Sequence, residues 1–111
     1  MDSRYILVLI TAPSRAAGQQ IAQMLLEKKL AACVNLLSPV QSMYTWQGEI
    51  CTAEEALLIV KSRADLFREQ LLPAVHAVHP YQVPEVIALP LLDGSQPYLD
   101  WIESVTLPAG G

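Results

Sequence analysis

The most constraining feature is a glycine turn, Gln47-Gly48, set between two long stretches that both read as extended chain. Glycine takes positive φ at little cost, so the pair predicts a tight hairpin turn. On the incoming side Cys33, Val34, Leu36 and Leu37 form one piece and Val40 to Trp46 another, with Val40, Ser42, Tyr44 and Trp46 on one face. Ser38-Pro39 lies between them, and a proline cannot donate to a ladder, so a bulge or an edge is expected there. The return strand is read as Glu49 to Lys61. Its Ala53–Leu58 stretch has helix-forming composition, yet the short apolar block Leu57-Leu58-Ile59-Val60 and the tight turn favour a strand.

The elements around this hairpin complete a β-α-β-β-α-β order with a C-terminal helix. Residues 4–12 are an unbroken apolar strand, expected to be buried on both faces. Ser14 caps a helix whose apolar stripe is Ala17, Ile21, Met24 and Leu25, closed by Lys28-Lys29. Ser62-Arg63-Ala64-Asp65 resembles a capping box that opens a second helix with Phe67, Leu71, Ala74, Val75 and Val78 on its buried stripe. Pro73 inside that stripe should kink it. Glu85 to Leu91 is a fourth strand and Pro97 to Val105 a final helix. The fold class is therefore α+β, a ferredoxin-like split β-α-β-β-α-β sandwich, built as a single domain over 1–111 with its core in 4–106 and a tail at 107–111.

Turning about Gln47-Gly48 makes opposed residues sum to 95. Cys33 then faces Ser62 and Cys51 faces Tyr44, too far apart for a disulfide. The arm from Cys33 to Trp46 would span ~45 Å at ~3.3 Å per residue, against a domain roughly 34 Å across. Its apolar tip, with Tyr44, Trp46 and Ile50, should project beyond its own core and pair with another subunit. The alternative is a hairpin curled back on its own domain.

Composition narrows the function. In 111 residues, seven Lys+Arg stand against eleven Asp+Glu, a net charge of -4, and no basic run reaches three residues, which disfavours nucleic acid as a partner. The apolar run Tyr5–Ala12 is far short of the ~20 residues that span a bilayer. Nor does Met1-Asp2-Ser3-Arg4 carry the positive charge of a signal peptide, so neither membrane nor export is expected. Two unpaired thiols suit a reducing, cytoplasmic setting.

Four blocks stand out in order: Thr11-Ala12-Pro13, Lys29-Leu30-Ala31-Ala32-Cys33-Val34-Asn35, Ser42 through Ile50, and His79-Pro80-Tyr81-Gln82-Val83-Pro84-Glu85. Together, over about residues 4–106, they resemble the CutA (divalent-cation-tolerance) family. The resemblance implies a ferredoxin-like protomer in a tight homotrimer, similar in architecture to PII-type signalling proteins, with hairpins that extend neighbouring sheets. It also implies an association with divalent cations and copper binding, and no enzymatic reaction. Three positions depart from the family pattern. Gln82 replaces a frequent glutamate, and Ile10 and Val78 stand where some members carry a cysteine and a second histidine.

The candidate site residues follow. His76 and His79 are three apart, and with Glu85 they surround a chain reversal, a candidate donor set for a weakly bound divalent cation such as copper. Two histidines at a helix C-terminus, favourable to its dipole when charged, are the plainer reading. Tyr44, Trp46, Glu54, Lys61 and Tyr81 are candidates for an intersubunit cleft or interface. They would serve a small-ligand-sensing or scaffold trimer with no metal role as readily as a metal-linked one. No nucleophile elbow, glycine-rich loop or P-loop is present, so an enzyme is not expected.

Overall fold

The structure, a computed structural model, describes residues 4–108. Its elements run β1 (Tyr5–Ala12), α1 (Arg15–Glu27), β2 (Cys33–Trp46), β3 (Glu49–Arg63), α2 (Ala64–Leu66), a π-helical stretch (Phe67–Leu71), α3 (Leu72–Val78), β4 (Val86–Pro90) and α4 (Gln96–Val105). The strands form one sheet in the order β2-β3-β1-β4, antiparallel throughout, which is the ferredoxin-like arrangement. Ala53–Leu58 is strand, as the apolar block and the turn require.

Helices α1 and α3 cover one face of the sheet. Ile6, Val8, Ile10 and Ala12 of β1 and Ala56, Leu58 and Val60 of β3 meet Ile21 and Leu25 of α1, Val75 of α3 and Leu71 of the π-helical stretch. Ser14 caps α1, its hydroxyl accepting from the Ala17 N–H at 3.1 Å. At the other end Lys29 sits at φ 59, and the Leu30 and Lys29 amides donate back to Leu25 and Leu26. This is a Schellman ending built on a lysine. Gly18, which the apolar stripe did not single out, is buried where α1 packs against the sheet. A Cβ there would lie 3.1 Å from Leu36 Cδ1 and 3.2 Å from Leu58 Cδ1.

Two expected features take different forms. Ser62 is not a helix cap: it stays in β3, buried, and donates to the Leu30 carbonyl at 2.6 Å, while α2 starts after Arg63 without a side-chain cap. Pro73 is accommodated by a widened turn, the Leu72 N–H donating to the Phe67 carbonyl five residues back. The π-helical stretch takes up the turn that a proline would otherwise break.

The hairpin turns at Gln47-Gly48, both at positive φ (52 and 79), as a two-residue turn of this hand requires. From Trp46↔Glu49 back to Val40↔Glu55 opposed residues sum to 95. Between Leu37↔Leu57 and Val40↔Glu55 the register slips by one, because Ser38 and Pro39 together span a single position. Cys33 therefore faces Lys61 and not Ser62. The slip also exchanges faces, so Cys33, Asn35 and Leu37 share a side with Val40, Ser42, Tyr44 and Trp46.

The tail was expected to begin at 107, but Leu107 is fixed: its amide donates to the Lys29 carbonyl, its own carbonyl accepts from Arg63, and its side chain packs on the core. Residues 109–111 lie outside the described residues. Arg63 is 1% exposed, makes paired hydrogen bonds to Asp65 at 3.0 and 2.8 Å, and donates to Thr106 Oγ1 at 2.7 Å. That guanidinium ties the end of α4 to the end of β3.

Candidate functional site

The face of the sheet away from α1 and α3 is where the chemistry gathers. Burial along β1 alternates, with Ile6, Val8, Ile10 and Ala12 in the core and Tyr5, Leu7, Leu9 and Thr11 only half-buried. The expectation that β1 is buried on both faces thus fails for the single protomer, whose odd-numbered β1 residues are only half-buried. By register, Leu7 and Leu9 are flanked by Leu89 and Ile87 of β4 and by Lys61 and Ile59 of β3. Leu57 and Leu37 continue the surface toward β2. Ile87 is 50% exposed and Leu37 45%. A sheet face this apolar and this open is not a finished surface.

The hairpin carries that face outward. The protomer extends 43 × 27 × 23 Å with a radius of gyration of 14.5 Å, above the ~13 Å of a compact chain near this length. The excess is the arm, whose tip exposes Met43, Tyr44, Trp46 and Ile50. The hairpin is not curled onto its own domain.

At the base of the arm, a chain of hydrogen bonds joins three parts of the sequence. His79 ends α3 in extended conformation and turns its ring inward, Nε2 lying 2.7 Å from the Thr11 carbonyl. Its Nδ1 accepts the Tyr81 amide at 3.1 Å, so the ring is neutral with its proton on Nε2, donated to Thr11. The Tyr81 hydroxyl then donates to Glu55 Oε2 at 2.8 Å. Burial, and then the hydrogen bond and charge of Glu55, with a smaller push from Tyr44, raise the Tyr81 phenol to about 12. Glu55 is 9% exposed.

The sequence-derived residues sort differently from expectation. Tyr81 meets Glu55, whereas the neighbouring Glu54 points to the opposite side of β3 and is exposed. The register summing to 95 already places Glu55 opposite Val40, on the side of Tyr44 and Trp46. Lys61 lies at the far end of the same face, its Nζ donating to Asn35 Oδ1 and standing 4.0 Å from Cys33 Sγ. Nearby, burial and then Cys33 raise the Tyr98 phenol of α4.

His76, His79 and Glu85 do not converge. His76 is exposed on α3, His79 has left the helix with both ring nitrogens engaged, and Glu85 is exposed in the following loop. Among the described residues no group of three or more His, Cys, Asp or Glu could hold a metal ion. The donor set does not fit a resident copper ion, which needs free imidazole lone pairs.

Comparison with known proteins supplies the lineage. The family described as CutA1 divalent ion tolerance protein matches residues 6–105. The chain belongs to the CutA1 family. The Divalent-cation tolerance protein CutA of Thermus thermophilus is 46% identical over 89% of this chain and 95% of that protein. The chloroplastic Protein CutA of Arabidopsis thaliana is 46% identical over 91% of this chain, which spans only 55% of that longer protein. Among solved structures, the Thermus thermophilus Cut A1 protein superposes with a TM-score of 0.89 at 45% identity, covering 93% of this chain and 99% of that one. The CutA of Archaeoglobus fulgidus, described as periplasmic, gives a TM-score of 0.87 at 42% identity over 91% of this chain and 97% of that one. The CutA1 fold thus accounts for the sheet order and the long hairpin. Among the described residues no helix is long and apolar enough to cross a membrane.

Proposed function

We propose that this CutA1-family chain acts in divalent-cation tolerance, the property for which its relatives are named, as a homotrimer assembled through the open sheet face. The observation that carries this is the apolar surface made by Leu7, Leu9, Leu57, Ile59, Ile87 and Leu89, continued by a hairpin that overhangs its own core. Burying such a face yields roughly 25 cal/mol per Å² of apolar area, and closed symmetry removes the exposed edges. The role is binding and assembly rather than catalysis. A tyrosine raised to about 12 and held to a carboxylate keeps its proton at neutral pH, the reverse of an activated nucleophile. The two free thiols, Cys33 and Cys51, favour a cytoplasmic, reducing setting.

Direct cation contact is weak in this reading, because His79 is committed to Thr11 and Tyr81 while His76 and Glu85 stand apart. Copper would then meet isolated donors, and tolerance would work through the assembly rather than a metal centre. A second reading, a small-ligand-sensing trimer, is favoured by Glu55 and Tyr81 joined at the base of the arm, with Tyr44 further along the same face. Native mass spectrometry of untagged protein tests both, reporting oligomer mass and retained ions together. A trimer without bound Cu²⁺ supports this account. A trimer that retains Cu²⁺ stoichiometrically, and loses it on His79→Ala, would restore the metal site.

A further inference from the structure

Among the described residues, Glu55 and Lys61 on the open face form no ion pair within the protomer. Glu55 and Lys61 lie on one side of β3, separated by Leu57 and Ile59, at ~20 Å for six residues of strand. Such a separation exceeds the ~8 Å over which charges interact at physiological salt, so they do not neutralise each other within one chain. The Lys61 ammonium donates to Asn35 Oδ1 and stands 4.0 Å from the Cys33 sulfur, with no carboxylate paired to it among the described residues. Glu55 Oε2 takes the Tyr81 hydroxyl, and no hydrogen bond is made to Oε1 among the described residues. No described buried side-chain oxygen lacks a partner, so Oε1 reaches the surface. Arg63, next along the same face, is already paired with Asp65.

Closing an apolar face over an unpaired ammonium and an unpaired carboxylate is unfavourable unless each gains an opposite charge. Glu55 and Lys61 put one charge of each sign at opposite ends of the apolar strip of Leu57 and Ile59. A second copy of the same face supplies both complements in a head-to-tail contact. We propose that Lys61 of each protomer pairs across the interface with Glu55 of the next, and that this pair sets the register in which the apolar faces meet. The inference rests on the trimer reading above. It assigns Lys61 and Glu55 a positioning role between subunits, with Tyr81 and the His79 chain holding Glu55 in place.

The test is a charge exchange read by sedimentation velocity across a dilution series, with circular dichroism to report the protomer fold. Lys61→Glu and Glu55→Lys each set like charges together and should raise the dissociation concentration at least about tenfold. The double variant carrying both changes restores opposite charges between subunits and should recover assembly close to wild type. Since the two positions do not interact within a chain, recovery identifies an intersubunit pair. The cost of losing the Tyr81 bond is common to Glu55→Lys and the double variant, so it cannot mimic recovery. If the reversals do not fold, Lys61→Met and Glu55→Gln form the cycle instead. A combined loss no greater than the larger single loss supports the pair, and losses that multiply overturn it. A wild-type trimer whose double variant assembles no better than the weaker single overturns the pair and leaves the trimer standing. A monomeric wild type overturns the trimer reading itself.

Discussion

The Tyr81 hydroxyl and the Glu55 carboxylate, 26 residues apart in sequence, meet at 2.8 Å at the base of the hairpin arm. The contact fixes the loop after α3 against β3. It also makes Tyr81 a reporter of the folded state. Unfolded, Tyr81 ionises near its ordinary value of 10.0, and folded near 12. Between those values the unfolded chain gives up a proton that the folded chain keeps. Stability present in full below about pH 10 is therefore lost as pH rises toward 12. Glu55→Gln removes the charge, and alkaline ultraviolet titration should show the late tyrosine moving back toward 10. An unchanged late transition in Glu55→Gln would remove Glu55 as a cause.

Gly18 sets the distance between α1 and the sheet. Glycine inside a helix costs about 1 kcal/mol relative to alanine, so a residue with a side chain would be preferred if space allowed. Space is tight: a Cβ at this position would lie 3.1 and 3.2 Å from the Leu36 and Leu58 methyls, which would have to give way by a few tenths of an ångström. Gly18→Val should destabilise the protomer by about 1–3 kcal/mol in urea unfolding, from overpacking. A neutral or stabilising result would mean that α1 lifts away freely.

Arg63 holds α4. Arg63→Ala leaves the Leu107 carbonyl and Asp65 without their donor, and should cost roughly 2–3 kcal/mol, as for hydrogen bonds to a charged group. Amide hydrogen exchange should quicken first in α4. The hydrogen bonds and charge of Arg63 hold the Asp65 carboxyl below its ordinary 3.8. The Asp65 contribution is present above that value and lost as pH falls through the lower folded one. If α4 exchanges at the wild-type rate in Arg63→Ala, the tie is not what orders it.

Trp46 is 59% exposed at the tip of the arm. Its truncation should leave the protomer's thermal unfolding within about 0.5 kcal/mol of wild type, as for surface sites. It should weaken assembly by about 2 kcal/mol or more if the tip anchors a neighbour. Dilution-dependent light scattering separates the two effects, and an unchanged dissociation curve would make the tip dispensable.

The sheet and the hairpin were legible because their signals are local: apolar runs of strand length, a glycine turn at Gln47-Gly48, and a serine cap at Ser14. The resemblance carried by four short blocks was legible too, and the structure brings two of them together, His79 of the last block bonding to the Thr11 carbonyl of the first. What escaped depends on long-range geometry. The bulge at Ser38-Pro39 was visible, but its one-residue slip, which puts Cys33 opposite Lys61, was not carried through. Glu54 and Glu55 are chemically identical neighbours, and only strand parity decides which faces Tyr81. His79 looks like a helical partner of His76 until the chain leaves the helix and turns the ring inward. Arg63 gives no local sign of its bond to Thr106, 43 residues away.

The central claim is that the open face is completed by two further copies of the chain. Sedimentation equilibrium of untagged protein across micromolar concentrations tests it most directly. The account predicts a single species of three times the 12.2 kDa protomer mass. A concentration-independent species at the protomer mass itself would contradict it.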